Sequence, residues 1–369
     1  MKDIELIKSK QHYEILDGLR GVAAISVVIF HFLEFVYLDE GPTKNPFAHS
    51  FLAVDFFFCL SGFVIAYAYD DRIAKMGVIE FFKSRLIRLH PLVILGSILG
   101  LIGYFLVPYG DIASRSTGEL IFIFICSLLL IPLPIMKDRY LNNFGLNAPA
   151  WSLFWEYIAN IVYSLILWSL PRKIMAVLTL IAGIILIYVS YNSKGLVGGW
   201  GGDTFWDGAA RVSYSFFAGI LVYRFKWIIS SKLGFLGLAI LLMPAFLYPF
   251  NEALNYITEP LVVLFYFPLL VALGAGAVTS VNTKKICVFF GNISYPLYMT
   301  HYFAIWIFGT YQSIYKFSGV TLFAIVALST LTLIGSAYLI MTYIDAPLRN
   351  YLTEKRKSKL SKKTVVLSE

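Results

Sequence analysis

The sequence predicts an all-α fold, a polytopic membrane helix bundle of about ten transmembrane helices with a re-entrant element near 118–135. The first observation is composition: of 369 residues, 59% are hydrophobic and 14% are charged, whereas a soluble domain carries about 25% charged residues. The second is a series of long apolar runs, and the third is the clustering of basic residues between some of them. Together they exclude a soluble fold and a disordered chain, and the net charge of +8 needs no nucleic-acid partner.

The apolar runs are the candidate spans, because a helix needs about 20 apolar residues to cross a bilayer. The first run follows a charged N-terminus and has no small-residue cleavage pattern after it, so we expect a retained span rather than a signal peptide. Eleven runs fall at about 18–37, 50–69, 87–107, 118–135, 150–170, 173–191, 208–224, 232–249, 258–279, 286–309 and 318–343.

Basic residues decide how these runs are oriented, because they concentrate in cytoplasmic loops. With the N-terminus inside and 118–135 not crossing, 23 of the 30 lysines and arginines lie in inner segments. Were 118–135 to cross, the basic tail would lie outside. Pro132 and Pro134 also interrupt this run, as is typical of a re-entrant or outer-face element. The sequence therefore predicts ten crossings with both termini cytoplasmic.

The first span carries Arg20 and His31, and ionisable side chains within spans are functional candidates. A separation of eleven residues brings two helical positions to within about 20° of each other and about 16 Å apart along the axis. The imidazole could accept a proton near neutral pH, and the guanidinium could bind a phosphate. The alternative is a topology anchor and a packed, hydrogen-bonded histidine.

Two carboxylates lie within later spans. Asp55 begins the second span and could orient His31, although a carboxylate at a helix N-terminus is also favoured by the macrodipole. Glu156 lies in the fifth run and is a candidate pocket residue for an acceptor hydroxyl. Trp151, close to it, is typical of a membrane interface.

The segment KSRLIRLHP places Arg85 and Arg88 three residues apart, on one side of a helix at its cytoplasmic start. Two such arginines could bind the phosphates of a nucleotide-like donor. Anchoring by positive charge on the inner side is the alternative.

The last spans add two helical pairs. Tyr298 and His301 share one helix face, and Asp345 and Arg349 have the i,i+4 spacing of an ion pair. No Walker loop, GxGxxG motif, GxSxG elbow or metal-ligand cluster appears, so neither a dinucleotide nor a metal is expected.

Six segments occur in an order that is characteristic of one family: LDGLRGVAAISVVIFHF, VDFFFCLSGFVIA, KSRLIRLHP, APAWSLFWEY, ISYPLYMTHYF and YIDAPLRNYL. Between about residues 12 and 352 the chain resembles the integral membrane acyltransferase-3 family, the bacterial O-acyltransferases that modify surface polysaccharides and related glycans. Two positions depart from its pattern: Cys59 replaces a small aliphatic residue and Asp345 replaces a glutamate. Neither change removes a charged group.

The resemblance implies ten core helices, a cytoplasmic acyl-CoA donor, usually acetyl-CoA, and an acceptor hydroxyl met on the outer side. The family's arginine–histidine motif falls on Arg20 and His31, and its basic motif falls on Arg85 and Arg88. No metal is implied.

The implied organisation is a membrane acyltransferase domain over 1–352 and a basic cytoplasmic tail over 353–369, near anionic lipid headgroups. We expect a multi-pass protein of the bacterial cytoplasmic (inner) membrane. The hydrolase-like domain that some relatives append is not seen, so any partner for final delivery is expected to be a separate protein.

The sequence hypothesis is therefore O-acyl transfer from acyl-CoA to a hydroxyl of a cell-surface glycan or lipid-linked sugar. His31 would remove the hydroxyl proton, or relay the acyl group covalently, and Asp55 or Glu156 would orient it. The remaining site residues are the donor-binding Arg20, Arg85 and Arg88, and the substrate-binding Tyr298, His301 and Trp151.

The alternative hypothesis is a transporter or translocator of a glycan or acyl intermediate, because intramembrane charges also mark transport paths. It predicts inverted repeats with matched broken helices, and the sequence shows no convincing one. The acceptor, the acyl group and the oligomeric state are left open.

Overall fold

A computed structural model describes residues 12–107 and 115–366, and the side chains of 359–366 are not part of the description. Lys2, Lys8 and Lys10, which the sequence assigns to the inner side, lie outside the described residues, as does the end of the tail at 367–369. Within the described ranges the backbone forms helices and turns, with two isolated β-bridges and no strand. The all-α prediction is confirmed.

Sixteen α-helices occur in the described ranges, and two π-helical segments, Val262–Tyr266 and Met341–Asp345, join α11 to α12 and α15 to α16. The α-helices are α1 Glu14–Val36, α2 Ala53–Tyr69, α3 Ile73–Met76, α4 Val78–Leu106, α5 Thr117–Leu128, α6 Ala150–Leu165, α7 Arg172–Asn192, α8 Phe205–Arg224, α9 Gly234–Leu242, α10 Pro244–Leu247, α11 Asn255–Leu261, α12 Phe267–Ala275, α13 Val281–Thr300, α14 Tyr302–Tyr315, α15 Gly319–Ile340 and α16 Ala346–Val366.

Several of these helices are long and apolar enough to cross a membrane, so the chain is a multi-pass membrane protein. In the described ranges there are six such spans: Glu14–Val36, Ala48–Tyr69, Val78–Leu106, Arg172–Asn192, Asn255–Ala275 and Gly319–Ser358. The figure of ten crossings stays a prediction.

Helices α2 and α8 pack at very short range, because each has a glycine where the other approaches. A Cβ atom at Gly62 would lie 2.0 Å from the carbonyl oxygen of Phe216, and one at Gly219 would lie 2.0 Å from that of Cys59. Small residues allow this approach of two backbones within a membrane. Gly62 and Gly219 therefore allow the close packing of the two helices.

The same two helices run parallel, because one ion pair joins them near their starts and another joins their ends. Asp55 of α2 binds Arg211 of α8 at 2.6 Å, and Asp70 at the end of α2 binds Arg224 at the end of α8 at 2.7 Å. The direction of α8 is therefore the direction of α2.

Helices α1 and α13 also run parallel. Glu14 at the start of α1 pairs with Lys284 near the start of α13 at 2.5 Å, and near the other end the His31 ring stacks on that of His301, which directly follows α13, with centroids 5.5 Å apart. Both residues of the arginine–histidine motif lie on α1, where Arg20 contacts α13 and His31 contacts the residue that follows it.

The region of the predicted re-entrant element contains the 12-residue helix α5, whose length is about 18 Å. Near its end Ser127 hydrogen-bonds to Ser97, which is in the middle of α4, at 2.8 Å. Arg115, which precedes α5, binds Asp138, which follows it. The two ends of the segment, before and after α5, therefore lie next to each other.

Candidate active site

Two cavities lie along α1 and share one lining residue, Val54. The first, called here the histidine cavity, has a volume of about 210 Å³ and is lined by His31, Glu34, Arg139, Trp151, Arg211 and Trp306 among others. The second, the arginine cavity, has a volume of about 170 Å³ and is lined by Arg20, Arg85, Arg88, Glu156, Tyr298 and Arg349 among others. The axial rise between Arg20 and His31, about 16 Å, separates the two groups of charges.

His31 has a carboxylate partner on its own helix. Its Nδ1 atom lies 2.9 Å from Oε2 of Glu34, three residues on, and its side chain is 20% exposed. A neutral imidazole that donates Nδ1–H to this carboxylate carries its lone pair on Nε2. That nitrogen could accept a proton from a group bound in the histidine cavity.

Asp55 is not the partner of His31. Both of its oxygens accept hydrogen bonds from Arg211, with distances of 2.6–3.2 Å, and the two side chains are 0% and 1% exposed. The sequence could not reveal this, because Arg211 lies 156 residues further along the chain. The expectation that Asp55 orients His31 is replaced by a buried ion pair between α2 and α8.

We expect Asp55→Asn to lower the free energy of unfolding by about 3–5 kcal/mol, because removing one partner leaves a buried charge uncompensated. Reversible unfolding by SDS in mixed micelles would measure the change, with Asp39→Asn as the control at an exposed ion pair with Lys316. A D55N protein as stable as the wild type but without activity would restore the direct role at His31.

Glu156 lies in the arginine cavity, away from the lining of the histidine cavity. Its Oε1 atom accepts hydrogen bonds from Ser61 Oγ at 3.0 Å and from Arg85 at 3.0 Å. The sequence places Glu156 in one pocket with His31 and Asp55, and the structure does not bring these three together. The physical reason is that Glu156 lies about one and a half turns into α6, which brings it to the depth of Arg85 and the other arginines.

The three predicted donor-binding arginines do lie together. Arg20 donates to Ser294 Oγ at 2.8 Å and to the carbonyl of Gly291 at 2.9 Å. Arg88 is exposed to the cavity, and among the described residues its guanidinium has no hydrogen-bond or ion-pair partner. Guanidinium groups with free donors are suited to binding phosphate by charge-assisted, bidentate hydrogen bonds.

The structure adds a fourth arginine to this cavity. Arg349 lines it together with Asp345, and the two side chains pair at 2.9 Å as their spacing predicts. The predicted pairing of Asp345 with Arg349 is therefore confirmed. The position of this pair in the same cavity as Arg20 depends on how α15 and α16 pack, which the spacing does not determine.

Two of the three predicted substrate residues line a cavity, and the third, His301, lines neither. Trp151 lines the histidine cavity, 5.0 Å from the guanidinium of Arg211. Tyr298 lines the arginine cavity, and its hydroxyl hydrogen-bonds to Ser152 at 2.8 Å. His301 is fully buried, and its Nδ1 is hydrogen-bonded to the carbonyls of Leu297 and Tyr298, while its Nε2 has no partner among the residues that the structure describes.

Sequence reasoning missed Glu34, Arg139 and Trp306 in the histidine cavity. Glu34 had a readable signal, its i,i+3 spacing from His31. Arg139 and Trp306 had none, because they are brought together from segments far apart in the chain. Over 12–107 and 115–366, His, Cys, Asp and Glu form no group of three that could hold a metal ion.

Comparison with known proteins adds a family match. Residues 13–341 match the model of the acyltransferase-3 family, described as an acyltransferase domain. Protein 2 in the picA locus of Rhizobium radiobacter is 37% identical over 166 residues, which are 42% of this chain and 82% of that protein. No solved structure matches the chain.

Two further relatives have acyltransferase names. The O-acetyltransferase OatA of Staphylococcus aureus is 36% identical over 96 residues, covering 25% of this chain and 14% of that protein. Acyltransferase MdmB of Streptomyces mycarofaciens is 29% identical over 163 residues, covering 43% of this chain and 40% of that protein. The matched region is less than half the length of either relative.

Proposed function

This chain belongs to the acyltransferase-3 family and is an acyltransferase, and on that premise we propose that it transfers an acyl group, expected to be acetyl, from acyl-CoA to a hydroxyl of a cell-surface glycan or lipid-linked sugar. The observation that carries the proposal is that an arginine-lined cavity and a histidine-lined cavity are neighbours, with Val54 in the lining of both. The arginine cavity can hold the phosphates of the donor, and the histidine cavity can hold the acceptor hydroxyl.

The donor phosphates bind in the arginine cavity. Four arginines and two carboxylates, Glu156 and Asp345, line it, so its lining is positively charged. Arg20 is fixed by Ser294 and Gly291, and Arg85 by Glu156, whereas Arg88 keeps all its donors for a ligand. Charge-assisted bonds of this kind are among the strongest that a phosphate can receive.

The acceptor hydroxyl meets Nε2 of His31. His31 takes the hydroxyl proton while the hydroxyl oxygen forms a bond to the thioester carbonyl carbon. The bond from that carbon to sulfur then breaks, and the CoA thiolate that leaves takes the proton from the His31 imidazolium. Glu34 accepts the Nδ1–H bond, holds the ring and stabilises the imidazolium that forms. In the covalent variant, the acyl group passes first to His31 and then to the hydroxyl.

The proposed topology has ten crossings, both termini in the cytoplasm and 118–135 re-entrant, in the bacterial cytoplasmic (inner) membrane. Support comes from the parallel pair α2 and α8, since these helices lie on either side of α5 in the sequence. If α4, α6 and α7 each cross once, α8 can run in the direction of α2 only when α5 does not cross. The shortness of α5 and the Arg115–Asp138 contact agree with this.

A reporter fused after Ser361 tests the topology. We expect an enzyme that is active only in the cytoplasm to work there, and one that is active only outside to be silent, because the basic tail stays on the cytoplasmic side. Fusions after Lys44 serve as the outside control. The opposite pattern would overturn the ten-crossing arrangement.

The function itself is tested on the glycans of the source cells. Mass spectrometry of a deletion strain should reveal a surface glycan or lipid-linked sugar that has lost one acyl increment, and the wild-type gene should restore it. Glycan masses that are the same with and without the gene would contradict the proposal.

A further inference from the structure

The histidine cavity contains a buried cation that the proposed reaction does not use. The Arg139 side chain is 7% exposed and lines the cavity beside His31. Its guanidinium carbon lies 4.1 Å from the ring centroid of Trp306 and 5.8 Å from that of Tyr104. The two rings hold the guanidinium plane in place, at the wall of the cavity.

The donors of Arg139 are unused. Within the described part of the chain its guanidinium donates no hydrogen bond, and its ion-pair partner, Asp138, has a carboxylate oxygen 3.6 Å from its Nε atom. Asp138 is itself bound by Arg115. Burial is the largest influence on the pKa of Arg139 and lowers it, so the charge is only partly compensated.

Arg211, the other guanidinium of this cavity, is a useful comparison. Its guanidinium donates hydrogen bonds to Asp55 and to the carbonyls of Gly198 and Phe51. A buried polar group without a partner is costly, and native structures rarely leave one. The difference between the two arginines therefore indicates that Arg139 is kept for a ligand.

The rest of the lining suits a sugar. Trp151, Trp306 and Tyr140 present aromatic surfaces to the cavity, and such rings combine an apolar face with a polar edge. Among the described residues that line the cavity, Glu34 is the only carboxylate, and it is bound to His31. A few polar groups among aromatic walls are typical of a site that fixes the orientation of a small ligand.

We propose that the acceptor is an acidic sugar, whose carboxylate or phosphate binds Arg139 while one of its hydroxyls meets His31. The inference rests on the proposed function, because it names the substrate class of the same site. Arginine matches both anions by bidentate hydrogen bonds. The acid group thereby selects the sugar and fixes which hydroxyl is acylated.

The test is a binding measurement on the purified full chain in detergent, without acyl-CoA. The probes are 4-nitrophenyl glucuronide and 4-nitrophenyl glucoside, which differ only at C6, a carboxylate in the first and a hydroxymethyl group in the second. We expect the glucuronide to bind about tenfold more tightly or better, as a hydrogen-bonded charge pair in a shielded site contributes. Glucose 6-phosphate, compared with glucose, tests phosphate as the acid group.

Variants assign the preference to one side chain. Arg139→Gln should remove the preference for the acidic sugar, and Arg139→Lys should keep part of it. Lys137→Gln, which removes the same charge from an exposed position in the same turn, should bind like the wild type. The wild-type comparison is decisive even if Arg139→Gln does not fold.

Equal binding of acidic and neutral sugars by the wild type, or a preference that survives Arg139→Gln, would overturn the inference. Competition by glycerol phosphate as strong as by glucose 6-phosphate would also overturn it, since it would indicate a lipid headgroup rather than a sugar. Absence of acyl transfer to every acceptor would contradict the proposed function and leave the binding result standing.

Discussion

Replacing His31 with alanine is expected to lower the rate of acyl transfer by about 10²–10⁴-fold, which is the usual contribution of a positioned general base. The imidazole lines the histidine cavity, and Glu34 fixes its Nδ1 atom at 2.9 Å. The measurement is the rate of ester formation by the purified protein at saturating acetyl-CoA. Donor affinity should be unchanged, because the arginine cavity is about 16 Å away along α1.

Glu34→Gln is the companion of this variant. It keeps the size of the side chain and removes the charge that stabilises the imidazolium, so we expect a smaller loss that affects kcat and leaves KM unchanged. Asp55→Asn should instead act through stability. A His31→Ala protein that folds normally and transfers acyl groups at the wild-type rate would remove His31 from the mechanism.

Replacing Arg88 with glutamine is expected to weaken acyl-CoA binding by about tenfold or more, because charge-assisted hydrogen bonds to phosphate are lost. Arg88 has the largest expected effect among the arginines, since Arg20, Arg85 and Arg349 already have protein partners. Binding of acetyl-CoA to the purified protein measures the change.

Two variants make this result specific. Arg88→Lys keeps the charge and the topology signal but loses the bidentate geometry, so we expect an intermediate affinity. Lys75→Gln removes an exposed charge from α3, outside the arginine cavity, and should bind acetyl-CoA normally. If all three variants bind acetyl-CoA with the affinity of the wild type, Arg88 serves only as a topology anchor.

The all-α fold and the position of Arg20 and His31 on one side of α1 could be predicted, because both depend on the spacing of residues along the chain. Run length and charge set the class, and the helical repeat alone places Arg20 and His31 on one side of α1. The pairing of Asp345 with Arg349 follows from the same rule. By this rule Glu34 was also predictable as the partner of His31.

The partners of Asp55 and Glu156 could not be predicted, because they depend on contacts between distant helices. Arg211 reaches Asp55 only because Gly62 and Gly219 let α2 and α8 pack at short range. Glu156 is level with Arg85 because of the depth of α6. The spacing of residues along one helix does not determine how deep that helix lies relative to another.

The central claim, acyl transfer from acyl-CoA to a hydroxyl through His31, is tested most directly with acetyl-CoA that is labelled in its acetyl group. The purified protein is reconstituted in vesicles and incubated with this donor and a glycan acceptor. We predict a labelled ester on the acceptor with the wild type, and none above background with His31→Ala. Label that stays on CoA while the glycan crosses the vesicle membrane would contradict the claim and identify a transporter.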